Sequence, residues 1–162
     1  MDDSILAWAP AAAVGAHIFE EFVFPGGFSA WYRRYRPDAA LSFTPRFAFG
    51  INALLVGVCL VIPLQGLGPN GVATWLIVAA LLAGNAVFHI RATLRGREYS
   101  PGLVTSVLMY LPLAIFGYVD LLRSGRASLG TAVSSAILGG SYNFISAWLH
   151  RRRAARGRSA PS

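Results

Sequence analysis

Five apolar stretches, each close to twenty residues long, limit what this chain can fold into more than any other feature. They run from about 5 to 24, 47 to 67, 71 to 90, 103 to 122 and 129 to 149. A helix needs about 20 apolar residues to cross the roughly 30 Å hydrocarbon core of a bilayer. Barrel strands are about half that length and alternate strictly, which these continuous runs do not. Breakers separate the runs: Pro25-Gly26-Gly27, the Gly66 to Gly71 stretch around Pro69, Pro101-Gly102, and Ser124-Gly125. The expected fold is all-α, a polytopic membrane protein with a bundle of five transmembrane helices forming one domain over 1–150.

Charge gives that bundle an orientation. Only 13% of the 162 residues are charged, against about 25% in an ordinary soluble domain. All fourteen basic residues are arginine, and the net charge is +7. Twelve of them would fall on one side: Arg33, Arg34, Arg36 and Arg46 between the first two stretches, Arg91, Arg95 and Arg97 before the fourth, and five after His150. Arg123 and Arg126 alone would fall on the other. Positive-inside bias then places the N-terminus outside and the C-terminus in the cytoplasm, in a plasma membrane. Because the arginines cluster at the ends of apolar runs, the expected partners are membrane lipids, with no nucleic acid. Trp31 and Tyr32 beside Arg33 read as interfacial anchors. Residues 151–162 read as a basic, disordered cytoplasmic tail. The chain opens Met1-Asp2-Asp3 without a basic leader, so the first apolar stretch is expected to stay in the mature protein. The lone Cys59 lies in an apolar run, where it rules out a Cys-rich zinc site and reads as packing.

Within the first stretch stand His17, Glu20 and Glu21. A charge at bilayer depth costs about 2.5–3.5 kcal/mol or more, so ionisable groups there point to function or to a buried polar network between helices. His17 lies three and four residues before the two glutamates, so either carboxylate can share its face. The glutamates themselves diverge by about 100° around the helix. The third stretch carries Asn85 and His89, also on one face. With the expected topology, these residues, Asn52, Tyr99, Thr105, Tyr142 and Asn143 all reach one layer in the cytoplasmic half of the bundle. His17, Glu20, Glu21 and His89 are the expected catalytic residues, with Asn85, Tyr99, Thr105, Asn52 and Asn143 binding or supporting. Ser100 and Pro101 read as the N-cap and first residue of the fourth helix, whose free N–H groups would suit an anion.

The same residues resemble a known family. His17-Ile18-Phe19-Glu20-Glu21, then Asn85 to His89, then Tyr99-Ser100-Pro101-Gly102 with Thr105, is similar in order and spacing to the HXXEE-domain family of small multipass membrane proteins. The resemblance runs from about the first to the fourth stretch. That family is uncharacterised, with an enzymatic role suspected, so the resemblance implies site positions and no reaction.

Two histidines and two glutamates are ligand types suited to zinc or iron, here His17, Glu20, Glu21 and His89. Such a centre implies a membrane-embedded hydrolase or oxidase acting on a lipid-phase or amphiphilic small molecule. A metal-free alternative pairs Glu with His for acid–base isomerisation or cyclisation of a sterol-like or isoprenoid substrate. A second alternative is a non-enzymatic proton-coupled carrier or small-ligand binder.

Overall fold

A computed structural model describes residues 2–37, 39–40 and 43–158; within the last helix, the side chains at 143, 144, 146, 147, 149–151 and 153–158 lie outside the description. The described residues form helices and no strands. α1 spans Asp3–Phe22, α2 Phe28–Tyr35, α3 Pro45–Gln65, α4 Pro69–Gly96, α5 Leu103–Arg123 and α6 Leu129–Arg158.

Local chemistry sets these boundaries. The Asp2 carboxylate caps α1 by accepting from the Ser4 N–H at 2.8 Å. Thr44 caps α3 through the Phe47 N–H at 3.2 Å, and Pro45 then supplies a ready-made first-turn φ. Pro69 does the same for α4. Inside α5 the segment Ser106–Tyr110 is π-helical.

Among the described residues, α3, α4 and α5 are long and apolar enough to cross a membrane, three helices rather than the five expected. Five long helices do form over the five apolar stretches. α1 loses hydropathy to Asp3, His17, Glu20 and Glu21, and α6 to its serines and glycines and then to the arginines at its end. Helix α6 also runs on to Arg158, so residues 151–158 are helical where composition suggested a disordered tail.

The long helix α4 packs against α1, α3, α5 and α6. The core holds Leu6 and Val14 of α1, Cys59 and Ile62 of α3, Trp75 and Leu82 of α4, and Tyr110 and Leu121 of α5. Two side chains stitch it to backbone: Trp75 Nε1 donates to the Leu6 carbonyl at 2.8 Å, and the Tyr118 hydroxyl donates to the Leu76 carbonyl at 2.9 Å. Small residues bring α6 against α4. A Cβ on Gly139 would lie 2.1 Å from the Ile77 carbonyl oxygen, so this contact closes only with glycine there.

The segment around Trp31 differs from its expected role. It forms α2, and Trp31 is buried, stacked on Tyr35 with ring centroids 5.1 Å apart. Phe28, Phe43 and Ala92 complete this second, aromatic core, with Tyr32 and Phe88 packed against it. It covers the end of the bundle where α1 and α4 finish and α5 begins. Away from both cores the surface is largely apolar, with Phe49, Leu64, Leu108, Phe116 and Ile137 among its exposed side chains.

Candidate functional site

His17 and Glu21 lie one turn apart on α1 and face His89 near the end of α4. All three are buried. Glu21 Oε1 is 3.4 Å from His17 Nε2 and 3.3 Å from His89 Nε2. Neither Nε2 atom makes a hydrogen bond. The two imidazoles meet edge to face, with centroids 5.0 Å apart.

What holds the rings explains their bare nitrogens. Thr105 Oγ1 donates its one hydrogen to Glu20 Oε2 at 2.5 Å, so it accepts from His17 Nδ1–H at 2.9 Å. With its proton on Nδ1, His17 presents a lone pair at Nε2. His89 Nδ1 is engaged by Ser100 Oγ at 2.8 Å, which again leaves Nε2 facing Glu21. Two ring nitrogens, that of His17 a lone-pair donor, thus converge on a carboxylate oxygen in a buried place. A lone pair and a carboxylate oxygen facing each other in this way are drawn together by a cation or a proton between them.

This donor set fits a metal ion. Ligand atoms from His17, Glu21 and His89 lie within 4.8 Å of one another, and Glu20 is not in the group. Tetrahedral ligands about 2.0–2.1 Å from a zinc ion would sit about 3.3 Å apart, matching both Nε2–Oε1 separations. Two histidines and one carboxylate with open positions are equally the set favoured by non-haem iron. Anchoring each ligating imidazole through its other nitrogen, as Thr105 and Ser100 do here, is the usual support for such a site.

Glu20 has a different job from the one its neighbour has. Its carboxylate sits at the start of α5 and accepts from the N–H groups of Gly102 at 3.1 Å, Val104 at 3.0 Å and Thr105 at 2.7 Å. The hydroxyls of Thr105 and Tyr99 donate to it as well. Burial and this bond to Glu20 push the Tyr99 hydroxyl above the ordinary tyrosine value, so it stays a donor. The anion site expected at this helix start is therefore filled by the protein's own carboxylate. Glu20 is spent on five hydrogen bonds, which is why it stands apart from the metal-ligand group. Nor does Ser100 cap the helix: the residue before Leu103 is Gly102, and Ser100 supports His89.

Gly102 makes the close approach possible. Its φ is +99°, a region that favours glycine, and a Cβ there would lie 2.6 Å from His17 Cε1 and 2.7 Å from His89 Cε1. Tyr110 closes the site from α5. It is fully buried, its ring lies 4.7 Å from that of His17, and its hydroxyl has no partner.

A cavity of about 400 Å³ reaches the cluster through Glu21. Asn85 and Asn52 line it, together with Phe22, Phe28, Leu55 and Val78. Asn52 also donates to the Ala48 carbonyl of its own helix at 2.9 Å. Of the residues expected from sequence, His17, Glu21 and His89 meet; Thr105 joins His17 to Glu20; Tyr99 touches Glu20; Asn85 and Asn52 face the cavity. The side chain of Asn143 lies outside the described residues, while its neighbour Tyr142 lines the cavity. Sequence reading took Ser100 as a helix cap and not as the partner of His89, named Gly102 only within its run, and did not single out Tyr110. The Tyr99-Ser100-Pro101-Gly102 run was the available signal for the first two, and Tyr110 carried none.

Comparison with curated proteins and with solved structures gives no match. The family model described as "Protein of unknown function with HXXEE motif" matches residues 8–117, a stretch that contains His17, Glu20, Glu21, His89, Ser100, Gly102 and Thr105. The chain belongs to this HXXEE family.

Proposed function

We propose that this protein is a membrane-embedded, metal-dependent enzyme, a hydrolase with zinc or an oxidase with iron, acting on a lipid-phase or amphiphilic small molecule. The observation that carries this reading is the convergence of two unpartnered imidazole nitrogens on one buried carboxylate oxygen. When bound, the metal supplies Lewis-acid chemistry at an open coordination position. Thr105 and Ser100 hold the two rings in orientation, Glu20 fixes the start of α5 over them, and Gly102 lets that backbone close down. The aromatic lid of α2 excludes water. Glu21 belongs to both the cluster and the cavity wall, so a molecule in the cavity lies against the reacting centre.

The setting is read as a plasma membrane crossed five times. His17, Glu20 and Glu21 of α1 turn inward, while Ile5, Trp8, Phe19 and Phe22 on the same helix are exposed and suit lipid. With the arginines of the α2–α3 connection and of the end of α4 on the cytoplasmic side, the site lies in the cytoplasmic half and the N-terminus outside.

The test is calorimetric titration of chelator-stripped protein in detergent with zinc and with ferrous iron, wild type beside His17→Ala and His89→Ala. One equivalent bound by the wild type and lost in both variants is expected. A folded wild type that binds neither ion overturns the metal reading and leaves acid–base isomerisation by the Glu–His pairs in its place.

A further inference from the structure

Among the described residues, three buried side-chain polar atoms have no hydrogen-bond partner: His17 Nε2, His89 Nε2 and the Tyr110 hydroxyl. All three side chains belong to one place. The His17 ring lies 5.0 Å from that of His89 and 4.7 Å from that of Tyr110, centroid to centroid. A metal ion accounts for the two nitrogens. It does not account for Tyr110, because a neutral phenol offers a proton and a cation is no acceptor for it. A buried donor left in that state costs about 1–3 kcal/mol.

Local structure puts Tyr110 against His17. Pro112 has no N–H, and in an unbroken α-helix its ring would meet the carbonyl of Leu108. The turn before it widens instead, with the Leu111 N–H reaching back five residues to the Ser106 carbonyl. Residues five apart in an α-helix stand about 140° apart around the axis; in a turn closed over five residues they come nearly one above the other. Thr105 and Tyr110 stand at the two ends of this turn, and both reach His17, the first through its hydroxyl at Nδ1 and the second through its ring. Of the two glutamates, Glu21 acts the more strongly on the Tyr110 hydroxyl. That hydroxyl nevertheless stands outside the ligand group. Ligands of one zinc ion sit about 3.3 Å apart. A hydroxyl that close to the His17 lone pair would hydrogen-bond to it, and Tyr110 does not.

We propose that Tyr110 is the hydrogen-bond donor to an oxygen of the molecule on which the centre acts. This rests on the metal reading of the site and narrows the substrate class to molecules that present an acceptor oxygen there, foremost an ester, amide or ketone carbonyl. The bond is one of binding and polarisation, worth more as negative charge builds on that oxygen, and the proton remains on the phenol. The large cavity meets the cluster at Glu21 and is not lined by Tyr110, so a group at the end of the molecule, and not its body, reaches the hydroxyl. A bare hydrocarbon would leave Tyr110 unmatched.

The experiment loads the protein in detergent with cobalt(II), whose visible absorption reports its ligands, and titrates wild type and Tyr110→Phe with acetate and with imidazole. Acetate coordinates through an oxygen that keeps lone pairs for a donor; imidazole coordinates through a nitrogen that keeps none. Tyr110→Phe retains the ring against His17 and removes only an unpaired hydroxyl, so it is expected to fold and to take up one equivalent of cobalt as the wild type does. Acetate affinity is expected to fall about tenfold in the variant while imidazole affinity is unchanged. Acetate affinity equal in the two proteins would overturn the assignment, the hydroxyl then being satisfied by a buried water. Acetate and imidazole weakened alike, or a cobalt-loaded wild type that binds no acetate, would overturn it as well. Cobalt lost from folded Tyr110→Phe would make Tyr110 a ligand and overturn it too. All these outcomes leave the metal centre standing. A folded wild type that takes up no cobalt, zinc or iron sinks the metal reading and this inference with it.

Discussion

Glu20 and Glu21 are adjacent in sequence, equally buried, and embedded in opposite chemistries. Around Glu20 every partner is a donor: three backbone N–H groups, a threonine and a tyrosine hydroxyl. Around Glu21 the nearest partners are two imidazole nitrogens that make no hydrogen bond. The first region is complete in the protein alone, and the second is the place where the proposed metal ion would be held. A rotation of about 100° between neighbours on one helix is enough to separate a carboxylate that holds the start of α5 from one that faces two imidazoles. Thr105 joins the two regions, because the hydroxyl that Glu20 holds is the one that orients His17.

Four substitutions break or sharpen this contrast. The largest effect is expected from Gly102→Ala, which strikes both regions at once. It places a methyl on the two imidazoles and strains a φ of +99°, and the combined cost is on the order of 3 kcal/mol or more. Thermal unfolding in detergent should show a loss of folded protein that added metal does not rescue. Next comes Glu20→Ala, which leaves three N–H groups at the start of α5 without their acceptor. About 2–4 kcal/mol of stability should go with it, seen as a lowered midpoint whether or not metal is present. Glu21→Gln is expected to act in the opposite sense on the metal-free protein. Its amide can donate to a bare Nε2, so the midpoint should hold or rise, while the rise that zinc gives the wild type disappears. For a wild type at a hundredfold excess over its dissociation constant, that rise corresponds to about 2.7 kcal/mol. Ser100→Ala, the smallest change to the fold, frees only the His89 ring, and titration should show metal affinity about 10–100-fold weaker. A Ser100→Ala protein with unchanged affinity would show that the ring is held by packing alone.

Part of this contrast is written in the sequence, and the division follows distance along the chain. Helical spacing alone puts His17 with Glu21 and Asn85 with His89. Pro69 and the Thr44-Pro45 pair mark the starts of α4 and α3 close to the expected limits. The same spacing cannot tell Glu20 from Glu21, since both fall within a turn of His17. What tells them apart is the Gly102 to Thr105 backbone, more than eighty residues away. The Tyr99-Ser100-Pro101-Gly102 run reads locally as a capped helix start; its tertiary role, a serine for His89 and a glycine against both rings, has no local signature. Hydropathy counts five long stretches. The polar residues of α1 and α6 lower their mean hydropathy, which is why, among the described residues, α3, α4 and α5 qualify on apolarity. Trp31 shows the same limit. An aromatic beside arginines suits an interface, yet α2 folds back and buries it against Tyr35 and Phe88.

The central claim is that Glu21 and Glu20 differ in what they hold, and elemental analysis tests it most directly. Wild type, Glu20→Gln and Glu21→Gln would be purified in detergent, the monodisperse folded fraction of each collected, and zinc and iron measured per chain. Near one equivalent in the wild type, retained in folded Glu20→Gln and absent from Glu21→Gln, is the result this account predicts. Metal lost from both variants alike, or kept by Glu21→Gln, or absent from a folded wild type after reconstitution, would contradict it.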